Sequence, residues 1–205
     1  MSALVPRIYL AGPQVFYPAP EGIFERMKAI CAAHGLEGVA PIDSQMGLEG
    51  VEPGRPLFRR IVQGDFDLID TCDGGIFCLD PWRGVEMDTG TAIEIGYMVP
   101  QKKPMSGWTS DPRFYPQKIK DHFAGHAMQG AGKNTMGATS GVLRDPEGML
   151  IHSEGLYMHG MAQMPIEMAG GEVFAAKDWD GAFTQAVQHI KMQFDRNQSL
   201  QPSPR

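Results

Sequence analysis

The chain has 205 residues, of which 42% are apolar, and this composition suits a single domain with a substantial core. Its formal net charge is −6 without any block of basic residues, which argues against a surface that binds nucleic acid. The sequence shows neither a secretory signal nor a stretch of about 20 apolar residues, and its few cysteines favour neither disulfides nor zinc, so we expect a cytoplasmic protein without membrane contact.

The first part of the chain predicts strands and helices in alternation. The stretch RIYLAGP indicates a short buried strand, and EGIFERMKAICAAHG indicates a helix that ends at Gly35. LEGVAP predicts a second strand. PLFRRIVQGDFDLIDTCD predicts a second helix with a weak point at Gly64, because its apolar residues recur at helical spacing.

The alternation continues towards the C-terminus. GGIFCLDP predicts a third strand, a third helix begins near Asp88, and KKPMSGW and EVFAA predict two further strands. DWDGAFTQAVQHIKMQF predicts a last helix that Asp178 caps. We expect one domain over residues 1–195, with a polar, disordered tail at 196–205.

Strands that alternate with helices predict an α/β fold with a flavodoxin- or Rossmann-like, doubly wound sheet of about five mostly parallel strands. Such sheets bind ligands beyond the carboxyl ends of their strands. The glycine-rich segment 106–170 breaks the alternation, and we interpret it as a long insertion that contacts a partner.

Asp73, Asp88 and Glu94 fall on segments predicted to meet at this edge of the sheet. Paired carboxylates suit the cleavage of a glycosidic bond, because one stabilises or attacks the anomeric carbon while the other handles the leaving group's proton. The spacing leaves open a second interpretation, in which Asp88 only caps a helix and Glu94 is solvated.

The stretch Asp88-Thr89-Gly90-Thr91 can bring backbone N–H groups close to a ligand at a helix N-terminus. Since Asp88 is itself an anion, it would repel a phosphate and accept a hydroxyl. The local prediction is therefore a site for a free sugar hydroxyl, with Gly90 allowing close approach.

His122 and His126 are spaced i, i+4, as metal ligands on a helix can be, but no third ligand follows at a motif-like spacing. The chain also lacks a nucleophile elbow and a complete phosphate loop. We therefore predict neither a metal site nor a cofactor.

Three stretches in order, IYLAGP, DLIDTCDGGIFCLD and DTGTAIEIGY followed by KKP, resemble the nucleoside 2-deoxyribosyltransferase family. The resemblance covers roughly the first 110 residues, and the third stretch is the most specific of the three. It implies exchange of the base of a 2'-deoxynucleoside for a free nucleobase through a covalent deoxyribosyl-enzyme intermediate.

The resemblance also implies roles for individual residues. Glu94 would be the nucleophile that attacks C1', Asp73 would shuttle the proton of the base, and Asp88 would hold the 5'-hydroxyl. Tyr9 would orient Glu94, and Gly12 would let the backbone approach the ligand.

One position departs from the family's pattern. Members usually carry an asparagine in a P-x-N context near the C-terminus, given to the sugar's 5' side by a neighbouring subunit, and Glu167 stands there in Met164-Pro165-Ile166-Glu167. The resemblance thus implies a homo-oligomer with a shared active site. Two alternatives remain open: an N-glycoside hydrolase of nucleosides or nucleoside 5'-monophosphates on the same scaffold, and a non-catalytic nucleoside-binding protein.

Overall fold

The computed structural model describes residues 4–45, 48–123, 129–130, 143–151 and 154–199. Its centre is a five-stranded sheet in the order β2-β1-β3-β4-β8, in which every pairing is parallel. The strands of this sheet are β1 Arg7–Ala11, β2 Glu37–Val39, β3 Gly74–Cys78, β4 Met105–Thr109 and β8 Val173–Ala175. Two-residue strands form a small antiparallel sheet: β5 Gln129–Gly130, β6 Leu143–Arg144 and β7 Leu150–Ile151.

Six α-helices accompany the strands among the described residues: α1 Pro20–Ala33, α2 Arg55–Thr71, α3 Thr89–Met98, α4 Tyr115–His122, α5 Gly160–Met168 and α6 Trp179–Ser199. Helices α1 and α6 pack together on one face of the sheet, over a core that includes Trp108 and Phe183. Helix α3 packs between α2 and α5 on the other face, over a core that includes Tyr9 and Phe77. The predicted doubly wound α/β fold is confirmed.

Burial on both faces explains why the strands read as continuous apolar runs. All five residues of β3 and all five of β4 are buried, as expected for a parallel sheet covered by helices on both sides. Gly74 and Gly75 let neighbours approach β3 closely: a Cβ on Gly74 would lie 2.8 Å from the Pro104 carbonyl oxygen.

Two expectations about the second half of the chain need correction. Residues 106–109 belong to the buried strand β4, and α5 packs against α3 and β4, so regular core elements occupy both ends of the segment interpreted as an insertion. Helix α6 continues to Ser199, so residues 196–199 are helical and not a disordered tail; residues 200–205 lie outside the described residues.

Within the described part of the chain, no helix is both long enough and apolar enough to span a bilayer.

Candidate active site

The centre of the candidate site is the pair formed by Tyr9 and Glu94. Tyr9 lies in the middle of β1 with its side chain fully buried, and its hydroxyl donates a 2.6 Å hydrogen bond to Glu94 Oε1. Glu94 lies in the second turn of α3 and is partly buried. The strand fixes the phenol, and the phenol fixes one oxygen of the carboxyl group. Among the described residues, no hydrogen bond occupies Glu94 Oε2.

Burial sets the proton affinity of Glu94. Loss of solvent raises its pKa from 4.5 to about 7, the hydrogen bond from Tyr9 opposes this rise, and the charges of Asp65 and Asp88 add to it. The same surroundings raise the pKa of Tyr9 well above its usual value, chiefly through burial and then through the charge of Glu94. Tyr9 therefore remains a hydrogen-bond donor at every physiological pH.

Asp65 is the site residue that the sequence analysis missed. It lies on α2, and its charge raises the pKa values of both Glu94 and Tyr9, so its carboxyl group is close enough to interact electrostatically with theirs. Burial raises the pKa of Asp65 itself, while a 2.9 Å hydrogen bond from Ser44 Oγ lowers it. A buried carboxyl group with a raised pKa near a second carboxylate is a candidate for proton transfer.

A sequence signal for Asp65 does exist. Asp65 precedes Ile69 by four residues, and Ile69 is fully buried, so both lie on the inward face of α2. An acid on the apolar face of a helix is the same anomaly that singles out Glu94. Two more aspartates on α2, Asp67 and Asp70, are exposed and mask the pattern.

Asp73 takes part in the pairing of two strands. It immediately precedes β3, at the amino end of the sheet, where its Oδ2 accepts a 2.8 Å hydrogen bond from the backbone N–H of Arg7. Its own N–H donates to the Arg7 carbonyl oxygen over 2.7 Å. These bonds begin the pairing of β1 with β3, whereas the expected role of Asp73 in handling the base's proton stays a prediction.

Asp88 caps helix α3. Its Oδ2 accepts hydrogen bonds from the Thr91 N–H at 2.9 Å and from the Thr91 hydroxyl at 3.0 Å. Gly90 lies in the first turn, where a Cβ would come within 3.0 Å of Asp88 Oδ2. Asp88 Oδ1 accepts no hydrogen bond from the described residues, and the charge of Asp88 reaches Glu94. A cap and a contact for a polar ligand are therefore compatible at this residue.

Gly12 makes room for a side chain. A Cβ on Gly12 would lie 2.0 Å from Gln14 Oε1 and 2.7 Å from the Cys78 Cβ. Gln14 is buried, and its Nε2 donates to Cys78 Sγ over 3.3 Å. The structure thus gives Gly12 a packing reason of its own, whereas its predicted contact with a ligand stays a prediction.

Glu167 lies on the exposed side of α5 and accepts a 2.7 Å hydrogen bond from Gln163 Nε2. Gln163 in turn accepts hydrogen bonds from the backbone N–H groups of Tyr157 and Met158. No interaction joins Glu167 to Glu94 within the described part of this chain. Its predicted contact with the sugar would require a second subunit.

The described residues hold no group of three or more histidine, cysteine, aspartate or glutamate side chains that fits a metal ion. His122 ends α4, and His126 lies outside the described residues. The three cysteines are buried free thiols.

The doubly wound sheet and the Tyr9–Glu94–Asp65 cluster define an α/β protein with a buried carboxylate site on one face of the sheet. The family model for nucleoside 2-deoxyribosyltransferases matches residues 8–161, and the chain belongs to that family. It is thus an enzyme of a family that acts on nucleosides.

Similar proteins share the sequence or the fold of this chain. An uncharacterised protein of Schizosaccharomyces pombe (strain 972 / ATCC 24843) is 42% identical over 190 residues, which are 91% of this chain and 89% of that protein. A 2-desoxiribosyltransferase from Leishmania mexicana shares the fold at a TM-score of 0.58 and 22% identity, over 90% of this chain and 98% of that chain. A conserved protein from Enterococcus faecalis V583 also shares the fold, at a TM-score of 0.58 and 15% identity, over 93% of this chain and 99% of that chain.

Proposed function

We propose that the protein is a nucleoside 2-deoxyribosyltransferase, which exchanges the base of a 2'-deoxynucleoside through a covalent deoxyribosyl-Glu94 intermediate. The observation that carries the proposal is the 2.6 Å hydrogen bond that holds Glu94 Oε1 and leaves Oε2 for attack. A carboxylate nucleophile suits this chemistry, because positive charge develops at the anomeric carbon.

In the first step, Glu94 Oε2 bonds to C1' while the bond from C1' to the base nitrogen breaks. The electron pair of that bond remains on the base, and protonated Asp65 gives its proton to the base. Burial raises the pKa of Asp65, which makes its neutral form more accessible than that of an exposed aspartate and supports this assignment.

In the second step, a nitrogen of the incoming base bonds to C1' and the ester bond to Glu94 breaks. The proton that this nitrogen loses passes to Asp65, so both carboxyl groups return to their starting states. Water competes with the incoming base for C1', and its exclusion favours transfer over hydrolysis. Burial of Glu94 is consistent with a site that excludes water.

Asp88 Oδ1 would accept the hydrogen bond of the sugar's 5'-hydroxyl. This assignment rests on the free oxygen of the cap and on the negative charge, which disfavours a 5'-phosphate. A nucleoside is therefore the proposed substrate, in preference to a nucleoside 5'-monophosphate.

The decisive experiment incubates the protein with deoxyinosine, with and without adenine, and separates the products. Deoxyadenosine as the product supports transfer. Free deoxyribose in both incubations contradicts transfer and identifies a hydrolase, and the absence of turnover identifies a protein that only binds nucleosides. Mass analysis of a sugar adduct trapped with a slow substrate tests Glu94 directly, and Glu94→Gln should form no adduct.

We further propose that the protein assembles as a homo-oligomer through α5. Met161 and Met168 are 80% and 85% exposed, and a groove of about 560 Å³ lined largely by apolar side chains lies between α5 and the Val99–Lys103 turn. Exposed methionines beside an apolar groove are typical of a protein interface. Glu167 adjoins Met168, so a partner seated on this helix would also meet Glu167.

A further inference from the structure

Ser44 contacts the proposed acid through its hydroxyl group. It lies in the 3₁₀ turn Pro41–Gln45, which follows β2. Its Oγ is 2.9 Å from Asp65 Oδ1 and 2.8 Å from the Pro41 carbonyl oxygen. A hydroxyl has one proton, so it donates to one of these oxygens at a time. An ionised carboxylate is the stronger acceptor, and the proton then points to Asp65.

Gly64 explains how the turn comes so near to α2. A Cβ on Gly64 would lie 3.1 Å from the Ser44 Cβ and 3.4 Å from its Oγ. Gly64, which the sequence analysis identifies as the weak point of this helix, thus leaves the space that Ser44 occupies. Since Asp65 follows Gly64 directly, this close approach sets the distance between the serine hydroxyl and the carboxyl group.

We propose that Ser44 is a positioning residue that selects which oxygen of Asp65 carries the transferable proton, an inference that rests on the proposed function of Asp65. With Oδ1 accepting the Ser44 hydroxyl, the proton of the neutral acid resides on Oδ2. Asp65 Oδ2 accepts no hydrogen bond from the described residues. The proton is then held away from the serine and delivered to the base.

The charged and titratable groups around Asp65 are few. Glu94 approaches from α3 and Tyr9 from β1, and both interact with the charge of Asp65. On the turn that bears Ser44, the neighbouring Asp43 forms a 2.7 Å ion pair with Lys28. Ser44 is therefore the hydrogen-bond donor to Asp65 among the described residues, and removal of its hydroxyl should change the pH at which Asp65 titrates.

The test follows the carboxyl carbon of Asp65 by NMR in protein labelled with carbon-13 aspartate, and Asp65→Asn identifies the signal. Loss of the Ser44 hydroxyl should raise the midpoint of this titration by about one pH unit, because the ionised carboxylate accepts the bond more strongly than the neutral acid does. Ser44→Cys keeps the shape of the side chain but donates weakly, so it should behave as Ser44→Ala does. An unchanged or lowered midpoint in either variant overturns the proposal.

A kinetic measurement separates positioning from packing. Ser44→Ala should lower kcat by about tenfold with little change in KM, because the proton is misdirected and substrate contacts remain. Thr71→Ala is the matched control, since the Thr71 hydroxyl on the same helix donates to the Leu68 carbonyl oxygen and not to Asp65. The NMR midpoint can be measured without turnover. The two measurements therefore distinguish an incorrect role for Ser44 from an incorrect assignment of the transferase activity.

Discussion

Tyr9 and Glu94 join strand β1 to helix α3 through a 2.6 Å hydrogen bond. Tyr9→Phe removes this bond while keeping the buried ring. The pKa of Glu94 should then rise above about 7, because the bond favours the ionised form. The acidic limb of kcat/KM should move by about one unit to higher pH, and the rate at pH 6 should fall by about tenfold.

The pH profile of kcat/KM checks this prediction. Tyr97→Phe is the control, since the Tyr97 hydroxyl bonds to exposed Asp70 and not to Glu94. If both variants keep the wild-type profile, the Tyr9 hydroxyl does not govern the nucleophile.

Glu94 should also make the protein less stable as the pH rises. Its folded-state pKa of about 7 exceeds its ordinary value of 4.5, so the folded state binds the proton more tightly than the unfolded state. Stability is therefore lost as the pH increases from about 4.5 to 7, by up to about 3 kcal/mol. Glu94→Gln should remove this loss and raise the melting temperature at pH 8, with little effect at pH 4.

Thermal unfolding of wild type and Glu94→Gln at the two pH values gives the measurement. Glu25→Gln, on the exposed side of α1, should show no comparable gain at pH 8. An equal gain from both substitutions would assign the effect to net charge and not to burial of Glu94.

Asp65 and Asp73 should respond differently to the same substitution. Asp65→Asn should lower turnover of deoxyinosine by about 100-fold, since the leaving base no longer receives a proton. A substrate whose leaving group needs no proton, such as a p-nitrophenyl 2-deoxyriboside, should be cleaved at nearly the wild-type rate. Asp73→Asn should retain activity on both substrates and only weaken the start of the β1–β3 pairing.

Comparison of kcat/KM for the two substrates in each variant tests the assignment. A loss in Asp73→Asn with none in Asp65→Asn would restore the original interpretation of the sequence.

The fold followed from sequence because parallel strands and their helices are governed by local patterns. Apolar runs such as GGIFCLDP and the caps at Asp88 and Asp178 mark element bounds within a few residues. The local pattern also shows that Asp73 precedes β3, at the amino end of that strand. The sequence marks Asp65 as an inward-facing acid, but its partners needed tertiary information, because the packing of α2 against β1 brings its carboxyl group towards Tyr9 and Glu94.

Substitutions at Asp88 should separate capping from substrate binding. Asp88→Ala removes the acceptor for the Thr91 N–H and should cost about 1 kcal/mol of stability, whereas Asp88→Asn keeps a competent cap. If Asp88 also holds the 5'-hydroxyl, Asp88→Ala should lose the preference of the wild type for deoxyinosine over its 5'-deoxy analogue. Asp88→Asn should lose part of it, because a neutral amide accepts more weakly.

Chemical denaturation measures the first effect, and the ratio of kcat/KM for the two substrates measures the second. A wild-type ratio in Asp88→Ala would restrict Asp88 to its capping role.

The exposed methionines of α5 give the last prediction, which concerns assembly. A charge placed in an apolar interface is left desolvated and unpaired. Met161→Asp and Met168→Asp should therefore each raise the dissociation constant of the oligomer by more than about tenfold. Met192→Asp on α6 is the matched control, because Met192 is 54% exposed and lies on the opposite face of the sheet. Sedimentation equilibrium gives the dissociation constants, and activity should fall with dissociation if a partner completes the site. A wild-type protein that is monomeric at every concentration, or variants that assemble as it does, would remove α5 from the interface.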